Sequence, residues 1–207
     1  MIVQKSNDMQ KLVRARESAA RAFSQPIARV LAKTGISPTA LTWTGFLIAL
    51  GGGALIALGY PFIAGVAVLV GAAFDMLDGA LARLTNRVTR FGAVLDSTLD
   101  RLGEVAVLLG ILVAYALSGS VAGILLTGLA LPGSLLVSYL RARAEAISLD
   151  CKVGLFTRTE RVVIVSLGLL FSRFDYALIA ALAIIVFFSF LTVAQRLLYI
   201  WQQTKVK

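Results

Sequence analysis

The chain has no histidine and a single cysteine, Cys151. Zinc sites of the histidine type, histidine general bases and Ser-His-Asp triads are therefore excluded, and no disulfide can form within one chain. Charge is also scarce. Only 15% of the 207 residues are charged while 58% are hydrophobic, against about a quarter and a half in an ordinary soluble domain. Such a composition belongs to an integral membrane protein. Any chemistry must rest on carboxylates, basic side chains, hydroxyls or a hard metal ion. No cleavable signal peptide, internal repeat or low-complexity segment is evident.

What is abundant is apolar sequence of spanning length, about 20 residues per helix. Six spans are expected: Thr39–Leu58, Phe62–Arg83, Phe91–Leu117, Val121–Arg143, Thr159–Ser172 and Tyr176–Trp201. The fold class is all-α integral membrane. Gly59-Tyr60-Pro61 and Ser118-Gly119-Ser120 read as turns. The expected organisation is a cytoplasmic amphipathic segment over 1–38, a six-helix catalytic domain over 39–201 and a short tail over 202–207. Within residues 9–33 apolar positions recur at helical spacing among basic ones, with an interruption at Ser24-Gln25-Pro26, which predicts a surface helix that anchors at the membrane or, as the alternative, shapes a substrate entrance. The fifth span is short. Its uninterrupted apolar core, Val162–Ser172, has 11 residues, roughly 17 Å of helix, so either the helix is not a full span or, the preferred reading, Arg161 lies in a wet cavity below the interface.

The net charge of +9 fits a membrane protein better than a nucleic-acid partner. Apart from Arg101, inside the third span, and Arg173, every Lys and Arg falls at the N-terminus, in the second-to-third or fourth-to-fifth links with their flanks, or at the C-terminus. By the positive-inside rule both termini, and those links, face the cytoplasm, in the cell membrane.

The stretch 75–100, DMLDGALARLTNRVTRFGAVLDSTLD, gathers four aspartates in this apolar setting. Asp75 and Asp78 share a helix face at i,i+3. Asp96 and Asp100 share one at i,i+4, and Glu104 continues the stripe. The two pairs fall at matching depth near the inner ends of the second and third spans. Four ionised carboxylates there would repel one another and be costly to desolvate. Ion pairs with Arg83, Arg87, Arg90 and Arg101 would ease this, and divalent cations would do so more completely. An all-oxygen set selects Mg²⁺ or Mn²⁺, and four aspartates suffice for two bridged ions, an arrangement suited to phosphoryl-type transfer. Gly79, Ala82 and Gly92 leave room for a flat group or close helix packing, and Arg83 can pair with a phosphate.

The pattern Asp75-x-x-Asp78-Gly79-x-x-Ala82-Arg83, eight residues, Gly92-x-x-x-Asp96-x-x-x-Asp100 resembles the complete signature of the CDP-alcohol phosphotransferases, with eight fixed residues in 26. The resemblance implies transfer of a phosphatidyl or archaetidyl group from CDP-diacylglycerol or CDP-archaeol to an alcohol, with release of CMP. It implies metal binding by Asp75, Asp78 and Asp96, and Asp100 as general base with a possible metal contact. Gly79, Ala82 and Arg83 would meet the nucleotide, and a homodimer is implied. The family's Pro-Asn-x-x-Thr-like segment is matched by Pro38 and Thr42, but Thr39 replaces the usual Asn or Asp. Thr39 either contacts nucleotide or caps its helix.

Arg141, Arg143, Arg161 and Arg196 fall at the inner ends of the last three spans, where they either anchor the helices or converge on a phosphate. These segments resemble the family branch that uses inositol phosphate as acceptor, the phosphatidylinositol phosphate and archaetidylinositol phosphate synthases. Arg141 stands where that branch often has Lys. A phosphatidylglycerophosphate synthase, using glycerol 3-phosphate, is the nearest alternative. An ion-coupled transporter or a prenyltransferase are the alternatives outside the family.

Overall fold

The structure is a computed structural model that describes residues 24–205 apart from 152, 155 and 175. Residues 9–23 of the expected amphipathic segment lie outside it. The described chain opens in a helix over residues 24–34, α1. Six further helices follow: α2 (Pro38–Ala57), α3 (Pro61–Leu84), α4 (Arg90–Ser118), α5 (Val121–Ala146), α6 (Arg158–Leu170) and α7 (Ala177–Lys205). They occupy the six expected segments, and the described residues contain no strand. Five of them, all but α6, are long and apolar enough to cross a membrane. At 13 residues, α6 is about 20 Å long.

The helix ends follow from local chemistry. Pro38 and Pro61 open α2 and α3, where a missing N–H costs nothing. At the ends of α2 and α4, Gly59 and Gly119 take left-handed φ of 87° and 71°. The next residue's N–H then returns to the carbonyl five back, Tyr60 to Leu55 at 2.9 Å and Ser120 to Tyr115 at 3.0 Å. The same closure recurs without glycine after α3, through Asn86 (φ 53°), and after α5, through Ser148 (φ 59°). Ser120 caps α5 by accepting from the Gly123 N–H. Thr157 and Glu160 form a capping box at the start of α6.

The chain divides into two compact units. The first comprises the described residues to Gly45 together with Ala73–Asp100. Its apolar centre is Leu41, Leu77 and Leu81, with Leu31, Ala32 and Phe74 packed against it. The second comprises Phe46–Ala72 and the chain from Arg101 onward. Its larger core includes Ile56, Val68, Ile111, Leu169, Leu182 and Ile185. There α7 packs on α5 and α6. In the same unit α2 and α4 approach until their backbones touch: a Cβ built on Gly110 would lie 2.1 Å from the Gly53 carbonyl oxygen, and one on Gly53 2.4 Å from that of Ala106. Small residues of this kind let helices pack where water supplies no hydrophobic drive.

The substitution Gly110→Leu should therefore lower the stability of the detergent-solubilised protein by about 3 kcal/mol, the upper end of overpacking costs. Gly128→Leu, with nothing within 4 Å of the added Cβ, should leave the melting temperature nearly unchanged.

Candidate functional site

In the first unit, α3 carries Asp75 and Asp78 through its last turns and α4 carries Asp96 and Asp100 through its first. A cavity of about 770 Å³ is lined by Asp75, Asp78 and Asp96 together with Gly79, Arg83 and, from α1, Ser24, Gln25 and Arg29. A second, of about 610 Å³, shares Asp78, Gly79, Arg83 and Asp96 with the first and adds Thr39, Thr42, Ala82, Arg87 and Gly92. The residues of the signature thus line these two cavities with shared walls, with the exception of Asp100. That residue stands one turn beyond Asp96, half-buried, and lines neither cavity.

Asp78 is the most enclosed of the four, 3% exposed. The Thr42 hydroxyl and the Gly79 N–H are the hydrogen-bonding groups facing its carboxylate, and Asp96 and Asp75 are close enough to repel it. Its Oδ2 is buried with no hydrogen-bond partner, an expensive condition for a carboxylate oxygen unless a cation completes it. Among the described residues no three acidic side chains converge to ligating spacing. The donor set itself is all oxygen, and with the incomplete Asp78 it fits a hard divalent cation.

The small residues have definite neighbours. A Cβ on Gly79 would lie 3.3 Å from Nη1 of Arg83, so the missing side chain lets the guanidinium lie back over the helix. Gly92 answers to a local need as well as to the cavity: its N–H donates to Thr89 Oγ1 at 2.9 Å, and a Cβ would lie 2.8 Å from that oxygen. Thr39 does not cap α2. Ser37 does, accepting from the Ala40 N–H at 3.2 Å, and Thr39 is exposed at the cavity wall. The Thr42 hydroxyl donates to the Pro38 carbonyl at 3.1 Å.

The second unit holds the arginines. Arg161 is 1% exposed. Its Nε donates to Glu104 Oε1 at 2.6 Å and its Nη2 to Glu104 Oε2 at 2.9 Å. Where a wet cavity around Arg161 was expected, the structure has a buried ion pair with Glu104. Arg196, 4% exposed, donates to the Val153 carbonyl at 2.9 Å and to that of Val137. Arg141 and Arg161 both lie within electrostatic range of Arg196. Arg141 is exposed and pairs with Glu145 at 2.9 Å. Arg143 is exposed as well. Three of the four arginines thus share one neighbourhood, two of them buried.

A model of the CDP-alcohol phosphatidyltransferase family matches residues 36–201. The chain belongs to that family. It is 39% identical over 188 residues to an archaetidylinositol phosphate synthase of Methanothermobacter thermautotrophicus, covering 89% of this chain and 92% of the relative. To a phosphatidylinositol phosphate synthase of Mycobacteroides abscessus it is 38% identical over 188 residues, covering 88% and 85%. The crystal structure of Mycobacterium tuberculosis phosphatidylinositol phosphate synthase with CDP-DAG bound matches with a TM-score of 0.79 at 36% identity, over 86% of this chain and 93% of that one. The same enzyme has been solved in complex with manganese and citrate, again with a TM-score of 0.79. As a member of this family the chain is a phosphatidyltransferase of phospholipid synthesis and a multi-pass membrane protein, which removes the transporter and prenyltransferase alternatives.

Several site residues escaped the sequence. Ser24, Gln25 and Arg29 line the carboxylate cavity from α1, where the sequence pattern singled out no individual residue for a site. Gly154 is another. Its φ of +127° suits glycine alone, and a Cβ would lie 2.6 Å from Thr192 Cγ2 and 3.2 Å from Arg196 Nε. Gly154→Ala should therefore destabilise the protein by about 1–3 kcal/mol through backbone strain and the clash. Adding Thr192→Ser, which removes the clashing methyl group, should restore part of the lost melting temperature.

Proposed function

We propose that the protein transfers the phosphatidyl or archaetidyl group of a CDP-linked lipid to a hydroxyl of inositol phosphate and releases CMP. The observation that carries the acceptor assignment is Arg161, a fully buried guanidinium whose Nη1 has no partner, within range of the Arg196 charge. An acceptor without a phosphate has no use for such a group. The named relatives support the same choice, since they are archaetidylinositol phosphate and phosphatidylinositol phosphate synthases by name.

Asp75, Asp78 and Asp96, with Asp100, would hold two Mg²⁺ or Mn²⁺ ions. Bound there, the ions would neutralise the donor's diphosphate and polarise its phosphoryl oxygens. The chain's own groups account for the remainder. Arg83, folded back over Gly79, pairs with the donor diphosphate, and Ala82 and Thr42 flank the nucleotide. Arg161, Arg196 and Arg141 hold the acceptor phosphate, which fixes the orientation of the attacking hydroxyl. Asp100 takes that hydroxyl's proton as the oxygen bonds to the lipid-bearing phosphorus. The bond from that phosphorus to the bridging oxygen breaks, and CMP departs with the electron pair. The basic-residue distribution supports both termini and the active site facing the cytoplasm, and the family supports a homodimer.

Two measurements test this. Chelation should abolish CMP release and added Mg²⁺ or Mn²⁺ should restore it, while Asp78→Asn should weaken Mn²⁺ binding, read by calorimetry, about tenfold or more. Full turnover in excess chelator would sink the metal assignment. For the acceptor, Arg161→Ala should raise the KM for inositol phosphate on the order of 10–100-fold, the worth of a charged hydrogen bond, with the donor KM little changed. Exposed Arg143→Ala should do much less. In a panel, inositol phosphate should be accepted and free inositol refused; preference for glycerol 3-phosphate would move the acceptor assignment, and equal use of free inositol would remove it.

A further inference from the structure

The pair formed by Glu104 and Arg161 is an odd thing to build for stability alone. Its members stand 57 residues apart on α4 and α6. Removing two charges from water costs about as much as their attraction returns, so apolar residues of similar size would hold these helices at least as well. The position of Arg161 adds to the cost. It lies in the first turn and a half of α6, where the helix dipole already presents positive charge and disfavours a cation.

The donor count gives the pair a purpose. A guanidinium has five N–H donors in a rigid plane. Glu104 takes one from Nε and one from Nη2, the side-on fork. Both donors on Nη1 and the second on Nη2 are left, and they form the end-on fork that matches a second oxyanion. Nη1 is buried and has no hydrogen-bond partner, although an unanswered donor in an apolar bundle is costly. Glu104 is itself enclosed, its side chain 11% exposed, so it has little freedom to release its partner into another rotamer.

We infer that Glu104 is a positioning residue: it grips Arg161 side-on and so fixes the plane and direction in which the end-on fork meets the acceptor's phosphate. The inference rests on the acceptor assignment made above. It also gives Glu104 a role apart from the acidic side chains that precede it on α4. Asp96 lines the carboxylate cavity, whereas Glu104 acts on substrate only through an arginine. A carboxylate so close to a phosphate site weakens the attraction for the phosphate, and it is tolerated because a freely rotating guanidinium would bind with less direction.

The test is steady-state kinetics on the purified full chain with Mg²⁺, a CDP-lipid and inositol phosphate, comparing Glu104→Gln, Arg161→Ala and the double variant. Glu104→Gln should raise the acceptor KM about tenfold, since one of two charge-assisted bonds is lost and the other weakened. The donor KM should stay within about twofold. In the Arg161→Ala background the same change should add almost nothing, because a residue acting through Arg161 has nothing left to position. Glu104→Asp keeps the charge but withdraws it by one methylene, and should give an intermediate acceptor KM. It carries the test should the Gln variant fail to fold. An acceptor KM unmoved by Glu104→Gln while Arg161→Ala raises it would overturn the inference and leave the acceptor assignment intact. So would equal multiplication of the two effects, or a rise in donor KM as large as that in acceptor KM, the sign of a loosened bundle. If Arg161→Ala itself leaves the acceptor KM unchanged, the acceptor assignment fails and the inference falls with it.

Discussion

A charge buried among apolar helices has to be met by another charge, by fixed hydrogen-bonding groups or by a bound ion, because neither lipid nor packed side chains can solvate it. Much of this protein answers to that constraint. In the second unit it is met within the chain: Arg161 closes on Glu104, and Arg196 turns its donors onto the carbonyls of Val137 and Val153. In the first unit it is met only in part. Asp78 has Thr42 and Gly79 before it, yet one oxygen remains unanswered and two further carboxylates stand close by. The same physics thus yields one arrangement that is nearly self-sufficient and one that leaves a buried carboxylate oxygen unanswered.

Holding charged groups in such places takes a rigid frame, and small residues supply much of it. Gly53 and Gly110 bring α2 and α4 into backbone contact, and Gly168 lets α6 close on α7, where an added Cβ would lie 2.7 Å from Ala181 Cβ. Close backbones leave little slack, so a side chain fixed to one helix can meet a partner on another at hydrogen-bond distance. Arg196 is seated in this way. Gly154 leaves room for its guanidinium, and the two carbonyls on either side set its direction.

Which features were legible in the sequence follows from how local they are. The four aspartates could be paired because i,i+3 and i,i+4 spacing fixes a helix face whatever the tertiary structure, and Asp75, Asp78 and Asp96 do line a single cavity. The turns at Gly59 and Gly119 were legible because glycine marks a left-handed residue. Those at Asn86 and Ser148 were not, since those residues more often appear elsewhere. Thr39 was one candidate for the cap of α2, and only the observed helix start, with Ser37 accepting from the Ala40 N–H, removes it. The bond between Glu104 and Arg161 had no local signal at all. Spacing alone placed Glu104 with the aspartates, and the short apolar run after Arg161 suggested water where the structure has a carboxylate.

Equal spacing can therefore conceal unequal chemistry. Asp96, Asp100 and Glu104 recur every four residues along α4, and the period by itself assigns them one role. Their partners divide them. Asp96 faces the cavity and the Asp78 charge, while Glu104 is covered and its two oxygens are taken up by one guanidinium. The residue type follows the division. A glutamate carries its carboxylate one methylene further from the backbone than an aspartate, which suits a reach across to another helix. An aspartate holds its carboxylate close to its own helix, where a group of them can share a cation. In a chain without histidine and with little charge to spare, the length of the acidic side chain is one of the few variables left for separating carboxylates that line a cavity beside their own helix from one that reaches an arginine on another.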